Sequence, residues 1–206
     1  IAIILLGAMR FLLGLTSQVN STEELAQKDN FAFGVSVAGS IFALGIVLTG
    51  AIAGENAPSY LMEIIGMLAY GTYGLILIKV GRVIQDKVAL HHLNKTELIK
   101  EQNLTIGIID AAGAIATAII IRAVLLWVDG LDISTFIAIT SGFIVAQTVL
   151  VLVTRIRESN YAKNNQEDCL QEALSEGQLA LAIRYSGQVI STALAVTAAS
   201  HFLVYS

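Results

Sequence analysis

Apolar residues fall into six blocks along the chain, and shorter polar stretches separate them. A helix needs about 20 residues to cross roughly 30 Å of hydrocarbon, and every block except the first reaches that length. The blocks are Ile1–Leu15, Phe31–Ala53, Tyr60–Gly81, Leu104–Val128, Ile133–Thr154 and Leu179–Leu203. The first block is short, which indicates that its helix begins before the first residue given. The pattern predicts six transmembrane helices in a single transmembrane domain over residues 1–206.

The composition agrees with helices in lipid. Hydrophobic residues make up 55% of the chain and charged residues 14%. The single proline, Pro58, lies between two apolar blocks. A soluble domain is about 45–50% apolar and about 25% charged. Backbone polar groups in hydrocarbon must be satisfied within each segment, and the sequence lacks the short alternating strands of a membrane barrel. We therefore expect an all-α integral membrane protein.

The basic residues predict how the chain is oriented in the membrane. Lys and Arg lie in or beside the long connections Thr16–Asn30, Arg82–Asn103 and Arg155–Gln178, and the turns Gly54–Ser59 and Asp129–Asp132 contain none. Because short cytoplasmic loops collect basic residues, we expect the three long connections to be cytoplasmic. Both termini then lie on the outer side of the membrane.

The connection between the third and fourth blocks has two interpretations. Apolar residues recur in it at helical spacing among charges: Val83, Ile84, Val88, Leu90 and Leu93. They form either a short amphipathic segment against the inner surface or an extension of the preceding helix into the cytoplasm.

Three amide residues indicate an internal repeat. Asn30, Asn103 and Gln178 each stand at the start of an apolar block, at intervals of 73 and 75 residues. Each has a small residue four positions later and a glutamate six positions earlier: Gly34, Gly107 and Ala182, and Glu24, Glu97 and Glu172. Asn at such a position can cap the helix that follows. The chain therefore reads as three parallel two-helix repeats, about residues 1–53, 60–128 and 133–206.

Short motifs around these amides resemble a known bacterial family. They are Asp29-Asn30 with Gly34, Ala38-Gly39, Gly50 and Gly54-Glu55, and Glu101-Gln102-Asn103 with Gly107, Asp110 and Ile121-Arg122-Ala123. The chain is similar to the domain of unknown function 350 family of YjfL-like inner-membrane proteins. The resemblance implies a compact multi-helix protein with little soluble mass and links to envelope stress and membrane remodelling. The family usually has glutamate at the position of Asp110.

Ionisable residues inside a bilayer are candidate functional residues. Asp110 and Arg184 lie at matching depth near the cytoplasmic side, and Glu63 and Arg122 lie near the outer side. We expect two ion pairs, Asp110 with Arg184 and Glu63 with Arg122. The pairs either hold the helices in register or form part of an ion or proton path.

Small residues four apart on the outward-running helices predict close helix packing. The pairs are Gly34/Ala38, Gly39/Ala43, Ala112/Ala116, Gly113/Thr117 and Gly187/Ser191. They serve either packing inside the bundle or contact between subunits.

The sequence favours a role without catalysis. It has no nucleophile–base pair and no glycine-rich phosphate loop, so we expect no catalytic residues and no cofactor. Cys169 is its single cysteine, which excludes a thiolate metal cluster, and we expect no metal site. The net charge of −4 makes nucleic acid an unsuitable partner. We expect a non-enzymatic inner-membrane subunit that contacts membrane lipid and self-assembles, joins a membrane complex or serves as a platform for envelope-stress partners. The alternative is a small ion or solute channel or transporter that uses Asp110 and Arg184.

Overall fold

The fold is known from a computed structural model, which describes residues 23–53, 59–127, 130–164 and 170–205. Every regular element in these ranges is helical. Five helices are long: α1 Phe31–Ala53, α2 Tyr60–Ile84, α4 Leu104–Leu125, α5 Ile133–Asn164 and α7 Leu179–Tyr205. Two are short, α3 Lys95–Lys100 and α6 Leu170–Ser175, and π-helical turns cover Glu23–Gln27 and Gln85–Ala89.

The predicted all-α class is confirmed for the described residues, and five helices are long and apolar enough to cross a membrane. The block Ile1–Leu15 lies outside the described residues. The α5 helix runs to Asn164, ten residues beyond the predicted end at Thr154. The α2 helix continues through Ile84 into a π-helical turn, which agrees with the extension interpretation of this connection.

Three long helices begin directly after the three amide residues singled out in the sequence. The α1, α4 and α7 helices start one residue after Asn30, Asn103 and Gln178. The residue before each amide has a left-handed backbone, with φ of 48° at Asp29, 62° at Gln102 and 88° at Gly177. This conformation reverses the chain at the end of a short helical segment. Each of these three helices therefore starts from the same local turn.

The α1, α4 and α7 helices pack side by side, with α4 in the middle. The α2 helix contacts both α1 and α4, and the α5 helix contacts both α4 and α7. The α4 helix is consequently the most buried of the long helices. The outer surface of α5 is apolar and exposed, as expected of a helix that faces lipid, at Ile133, Ile137, Ile144, Val145, Leu152 and Ile156.

Side chains from the three connections meet at one end of the helices, here called the connection end. The amide of Asn103 donates to the Ser175 carbonyl at 2.7 Å, and the amide of Gln102 donates to the Lys28 carbonyl at 3.3 Å. The backbone N–H of His92 donates to the Gln171 side chain at 2.9 Å. All three connections therefore lie at the same end of the bundle.

Small residues bring α1 and α4 into backbone contact. A Cβ atom at Gly39 would collide with Ala111, and one at Gly107 would collide with the backbone of Ala32. Of the five predicted small-residue pairs, three have both members buried: Gly39/Ala43, Ala112/Ala116 and Gly113/Thr117. These three serve packing inside the bundle. Ala38 and both members of Gly187/Ser191 are exposed.

We expect the Gly107→Leu substitution to destabilise the protein strongly, because the new side chain would enter the space of the Ala32 backbone. Overpacking a core costs about 1–3 kcal/mol, and backbone collision places this case at or above the upper end. The Ser141→Leu substitution on the exposed surface of α5 is the control. Thermal unfolding in detergent, followed by circular dichroism, measures both. Equal melting temperatures would contradict the close α1–α4 contact.

Candidate functional site

A buried carboxylate on α4 binds groups from three other helices. Asp110 has only 3% of its surface exposed. Its Oδ2 atom forms an ion pair with the guanidinium of Arg82 on α2 and accepts a hydrogen bond from the hydroxyl of Ser36 on α1. Its Oδ1 atom lies 3.4 Å from the ammonium of Lys95 on α3. Both carboxylate oxygens are therefore occupied by donors of the same chain.

Two serines on α1 orient the guanidinium. Arg82 Nη1 donates to Ser40 Oγ at 3.0 Å, and Nη2 approaches Ser36 Oγ at 3.4 Å. The two hydroxyls lie one turn apart, and that of Ser40 donates in turn to the Ser36 carbonyl at 2.9 Å. The hydroxyls thus fix the direction from which Arg82 reaches Asp110.

A second carboxylate balances the charge. Lys95, with 6% of its side chain exposed, also forms an ion pair with Asp86, whose side chain is 40% exposed. We call Asp110, Arg82, Lys95 and Asp86, together with Ser36 and Ser40, the charge cluster. Its four ionised groups sum to zero formal charge. Asp110 follows Asn103 by seven residues, which places the cluster about 10 Å from the connection end at 1.5 Å per residue.

The cluster joins α1, α2, α3 and α4 at one point. A charge at the centre of a membrane helix costs about 2.5–3.5 kcal/mol, and each cluster member reduces that cost for its partners. Removing one partner leaves the others as uncompensated charges. The arrangement therefore acts chemically as a mutually neutralised ionic contact between helices.

The predicted pairing of Asp110 with Arg184 is wrong. Arg82 and Lys95 are the partners of Asp110, and Arg184 is exposed on α7. Counting residues from the helix starts gives similar depths for the two, but it does not give the direction in which each side chain points. Asp110 points toward α1, α2 and α3, whereas Arg184 is exposed on α7.

The second predicted pair stays a prediction. The side chain of Glu63 lies outside the described residues. Arg122 is exposed on α4, and its Nε atom donates to the hydroxyl of Thr49 on α1 at 3.0 Å. Arg122 thus contributes to the α1–α4 contact at the end opposite the charge cluster.

The amide residues have two roles in the structure. Asn30 Oδ1 accepts from the Phe33 backbone N–H at 2.9 Å, and its Nδ2 donates to Glu24 and to the Ile99 carbonyl, each at 2.8 Å. Asn103 Oδ1 accepts from the Ile106 backbone N–H at 3.3 Å. Both asparagines therefore cap their own helix and also contact the next connection. Gln178 is exposed.

Sequence reasoning missed most of the partners of Asp110. Lys95 lies in a connection that the basic residues predict to be cytoplasmic, and a sequence does not show that the short α3 helix folds back onto α4. Ser36 and Ser40 carried a usable signal, since two hydroxyls one helical turn apart within an apolar block form a polar face. Arg82 is the first residue of the same connection, and no local pattern pairs it with Asp110.

We expect Asp110→Asn to destabilise the protein strongly, because it leaves Arg82 and Lys95 without their shared carboxylate. Breaking a buried pair by removing one partner costs about 3–5 kcal/mol. Asp86→Asn, at the more exposed carboxylate, is the matched control and should cost clearly less. The double variant Asp110→Asn/Arg82→Gln should be less destabilised than the two single effects combined. Thermal unfolding in detergent measures the wild type, these three variants and Arg82→Gln alone, and equal effects of Asp110→Asn and Asp86→Asn would refute the interpretation.

The turn before α1 predicts a pH dependence. A hydrogen bond from Lys28 holds the pKa of Glu24 below its ordinary value of 4.5, although burial acts in the opposite direction. Because the folded-state pKa is the lower one, Glu24 contributes stability above pH 4.5 that is lost as the pH falls through its folded pKa. We expect Glu24→Gln to flatten the acid limb of the melting temperature against pH. Glu23→Gln, at a half-exposed residue that binds the same lysine, should keep most of the slope. An unchanged slope in Glu24→Gln would contradict this assignment.

Comparison with known proteins identifies a family. No curated protein and no solved structure matches the chain. The family model described as Domain of Unknown Function (DUF350) matches residues 1–125. That range includes the charge cluster, the first two amide residues and the α1–α4 contact, and it ends at the last residue of α4. The match covers more than half of the 206 residues, so the chain belongs to the DUF350 family.

Proposed function

We propose that this chain is a non-enzymatic, multi-pass subunit of the bacterial inner membrane that self-assembles and serves as a platform for cytoplasmic or peripheral partners. One observation carries the proposal: the charge cluster neutralises itself. Asp110 is 3% exposed, and both of its oxygens already bind donors of the same chain. A carboxylate in this state holds helices together and is poorly placed to exchange ions with water.

The proposed architecture has six spans in three parallel two-helix repeats. The shared features of the three helix starts support it, namely an amide residue, a left-handed residue before it and a short helical segment before that. In each case the backbone N–H four residues later donates to the carbonyl of the amide residue: Gly34 to Asn30, Gly107 to Asn103, and Ala182 to Gln178. Six spans would place both termini on the same side of the membrane.

The proposed orientation places the connection end in the cytoplasm. The connections that meet there carry most of the basic residues, including Lys28, Lys87, Lys95, Lys100 and Lys163. Lys95 is buried in the charge cluster, but the others remain available to satisfy the preference of basic residues for the cytoplasmic side. Partners of the platform would then approach from the cytoplasm.

The alternative function is a channel or transporter in which Asp110 lies on the ion path. The clustering of four ionisable groups, of which Asp110 and Lys95 are buried, at one level of a membrane bundle is the observation in its favour, because such groups often mark ion or proton pathways. Both carboxylate oxygens of Asp110 already bind donors of the same chain, which argues against this function.

Reconstitution distinguishes the two functions. We expect the purified chain in lipid nanodiscs to have a mass of more than one copy by mass photometry. We also expect its proteoliposomes to show no ion or proton flux above empty liposomes in a fluorescent-dye assay. Flux that is abolished in the charge-balanced variant Asp110→Asn/Arg82→Gln, with circular dichroism unchanged, would establish the alternative. A monomer without flux would refute self-assembly.

A further inference from the structure

The helices α1, α4 and α7 pack through two small-residue faces that recur at fixed distances from the amide residues. We call the positions two, nine and thirteen residues after the amide the front face, and the positions four and eight residues after it the back face. The front face of α1 is Ala32, Gly39 and Ala43, and the back face of α4 is Gly107 and Ala111. These faces are in contact, because a Cβ at Gly39 would strike Ala111 and one at Gly107 would strike Ala32.

The next pair of helices buries the same faces. The front face of α4 is Thr105, Ala112 and Ala116, and all three residues are buried. The back face of α7 is Ala182 and Ser186, which are 0% and 7% exposed. The α4 and α7 helices pack extensively on each other. The faces that meet between α1 and α4 are thus also the faces that are buried where α4 packs on α7.

The third front face is unused within the described residues. Ala180, Gly187 and Ser191 occupy the same positions on α7, and all three are exposed. A Cβ at Gly187 would meet no heavy atom within 4 Å, in contrast to its counterpart Gly39. At the other end of the row, Ala38 on the back face of α1 is exposed, and Gly34 is partly exposed with Leu25 as its nearest neighbour, 3.7 Å from the position of a Cβ.

The amide side chains follow the same direction from one unit to the next. Asn30 Nδ2 donates to the Ile99 carbonyl in α3, and Asn103 Nδ2 donates to the Ser175 carbonyl in α6. Each amide therefore reaches the short helix that precedes the next long helix. The side chain of Gln178, at the third such position, is exposed.

We propose that the front face of α7 binds the back face of α1 of a second copy, so that chains join head to tail. The inference rests on the proposed self-assembly and names its interface. The occupant is a second copy because the partner face that fits, with small residues at positions four and eight after an amide, is present on α1, where Ala38 is exposed and Gly34 partly exposed among the described residues. By the rule of the two internal contacts, Gly187 meets Ala38 of the second copy, and Gln178 meets its turn Glu23–Gln27. The contact thereby continues the α1–α4–α7 row.

The exposed charge on α7 agrees with this interface. Arg184 lies six residues after Gln178, at the position that Ser36 holds on α1. In the internal contact, Lys95 of the following unit reaches the same level as Ser36. One repeat interval of 73 residues before Lys95 lies the residue just before Glu23. The position equivalent to Lys95 in the first unit therefore borders the turn Glu23–Gln27. Arg184 would therefore approach an acidic turn of the second copy. Since the two contacting faces differ, the assembly closes into a ring or extends as a row.

Disulfide cross-linking between differently tagged chains tests the interface. In a Cys169→Ser background, one chain carries Ala38→Cys and the other carries Gly187→Cys. We expect oxidation in native-like lipid to give a disulfide-linked heterodimer, because the facing Cα atoms would lie within the roughly 4.4–6.8 Å that a disulfide requires. Chains with Gly187→Cys alone should give no dimer. Ala38→Cys mixed with Ile137→Cys, at an exposed position of α5, is the control and should give none.

The other outcomes separate this interface from self-assembly itself. Gly187→Cys chains that cross-link to one another would show a symmetric contact and overturn the proposal. Oligomers in nanodiscs without an Ala38–Gly187 cross-link would also overturn it while leaving self-assembly standing. Monomers in nanodiscs would overturn both. As an independent measurement, Gly187→Leu should weaken association about tenfold or more, whereas Ser141→Leu should leave the mass unchanged. Gly187 has open space around it in the single chain, so its substitution spares the fold.

Discussion

The pairing of Asp110 with two cations is the interaction on which the arrangement of the helices at the connection end depends. An ionised carboxylate in hydrocarbon must find positive partners, and here they come from α2 and α3 while α1 supplies a hydroxyl. Because the partners come from different helices, satisfying one charge fixes the relative positions of four segments. The ion pair therefore determines geometry more than it adds net stability. The cost of removing charged groups from water offsets much of the attraction between buried partners.

Close backbone packing between α1 and α4 holds the helices together in addition to the charge cluster. Lipid solvates apolar side chains as well as a protein interior does, so helices in a membrane gain little from burying Leu or Ile alone. Because Gly39 and Gly107 lack side chains, α1 and α4 approach closely. Gly39 lies against Ala111, and Gly107 lies against the backbone of Ala32. The charge cluster lies at the connection end of this contact, and the Arg122–Thr49 hydrogen bond lies toward its other end. Polar contacts thus set the register of a face whose small residues would by themselves permit sliding.

The sequence allowed the helices to be predicted well and their side-chain partners poorly. The start of α1, α4 and α7 followed from apolar blocks and from amides placed just before them, because both signals are local. The ion-pair partner of Asp110 depends on rotation about the helix axis and on the folding back of α3, and neither is a local property. Arg184 shows the consequence: its depth matched that of Asp110, yet it lies on the exposed surface of α7. The end of α5 was also predicted too early, because its final turns are charged and do not continue the apolar block.

The α7 helix lies beyond the family match and packs on α4, the last helix within it. The family match ends with α4, whose front-face residues Thr105, Ala112 and Ala116 would face lipid without a further unit. In this chain α7 covers that face and presents another of the same kind, with Ala180, Gly187 and Ser191 exposed. Adding a unit therefore moves the open face outward without removing it. In the proposed head-to-tail assembly, the back face of α1 of a second copy covers this face, and the row closes into a ring or continues.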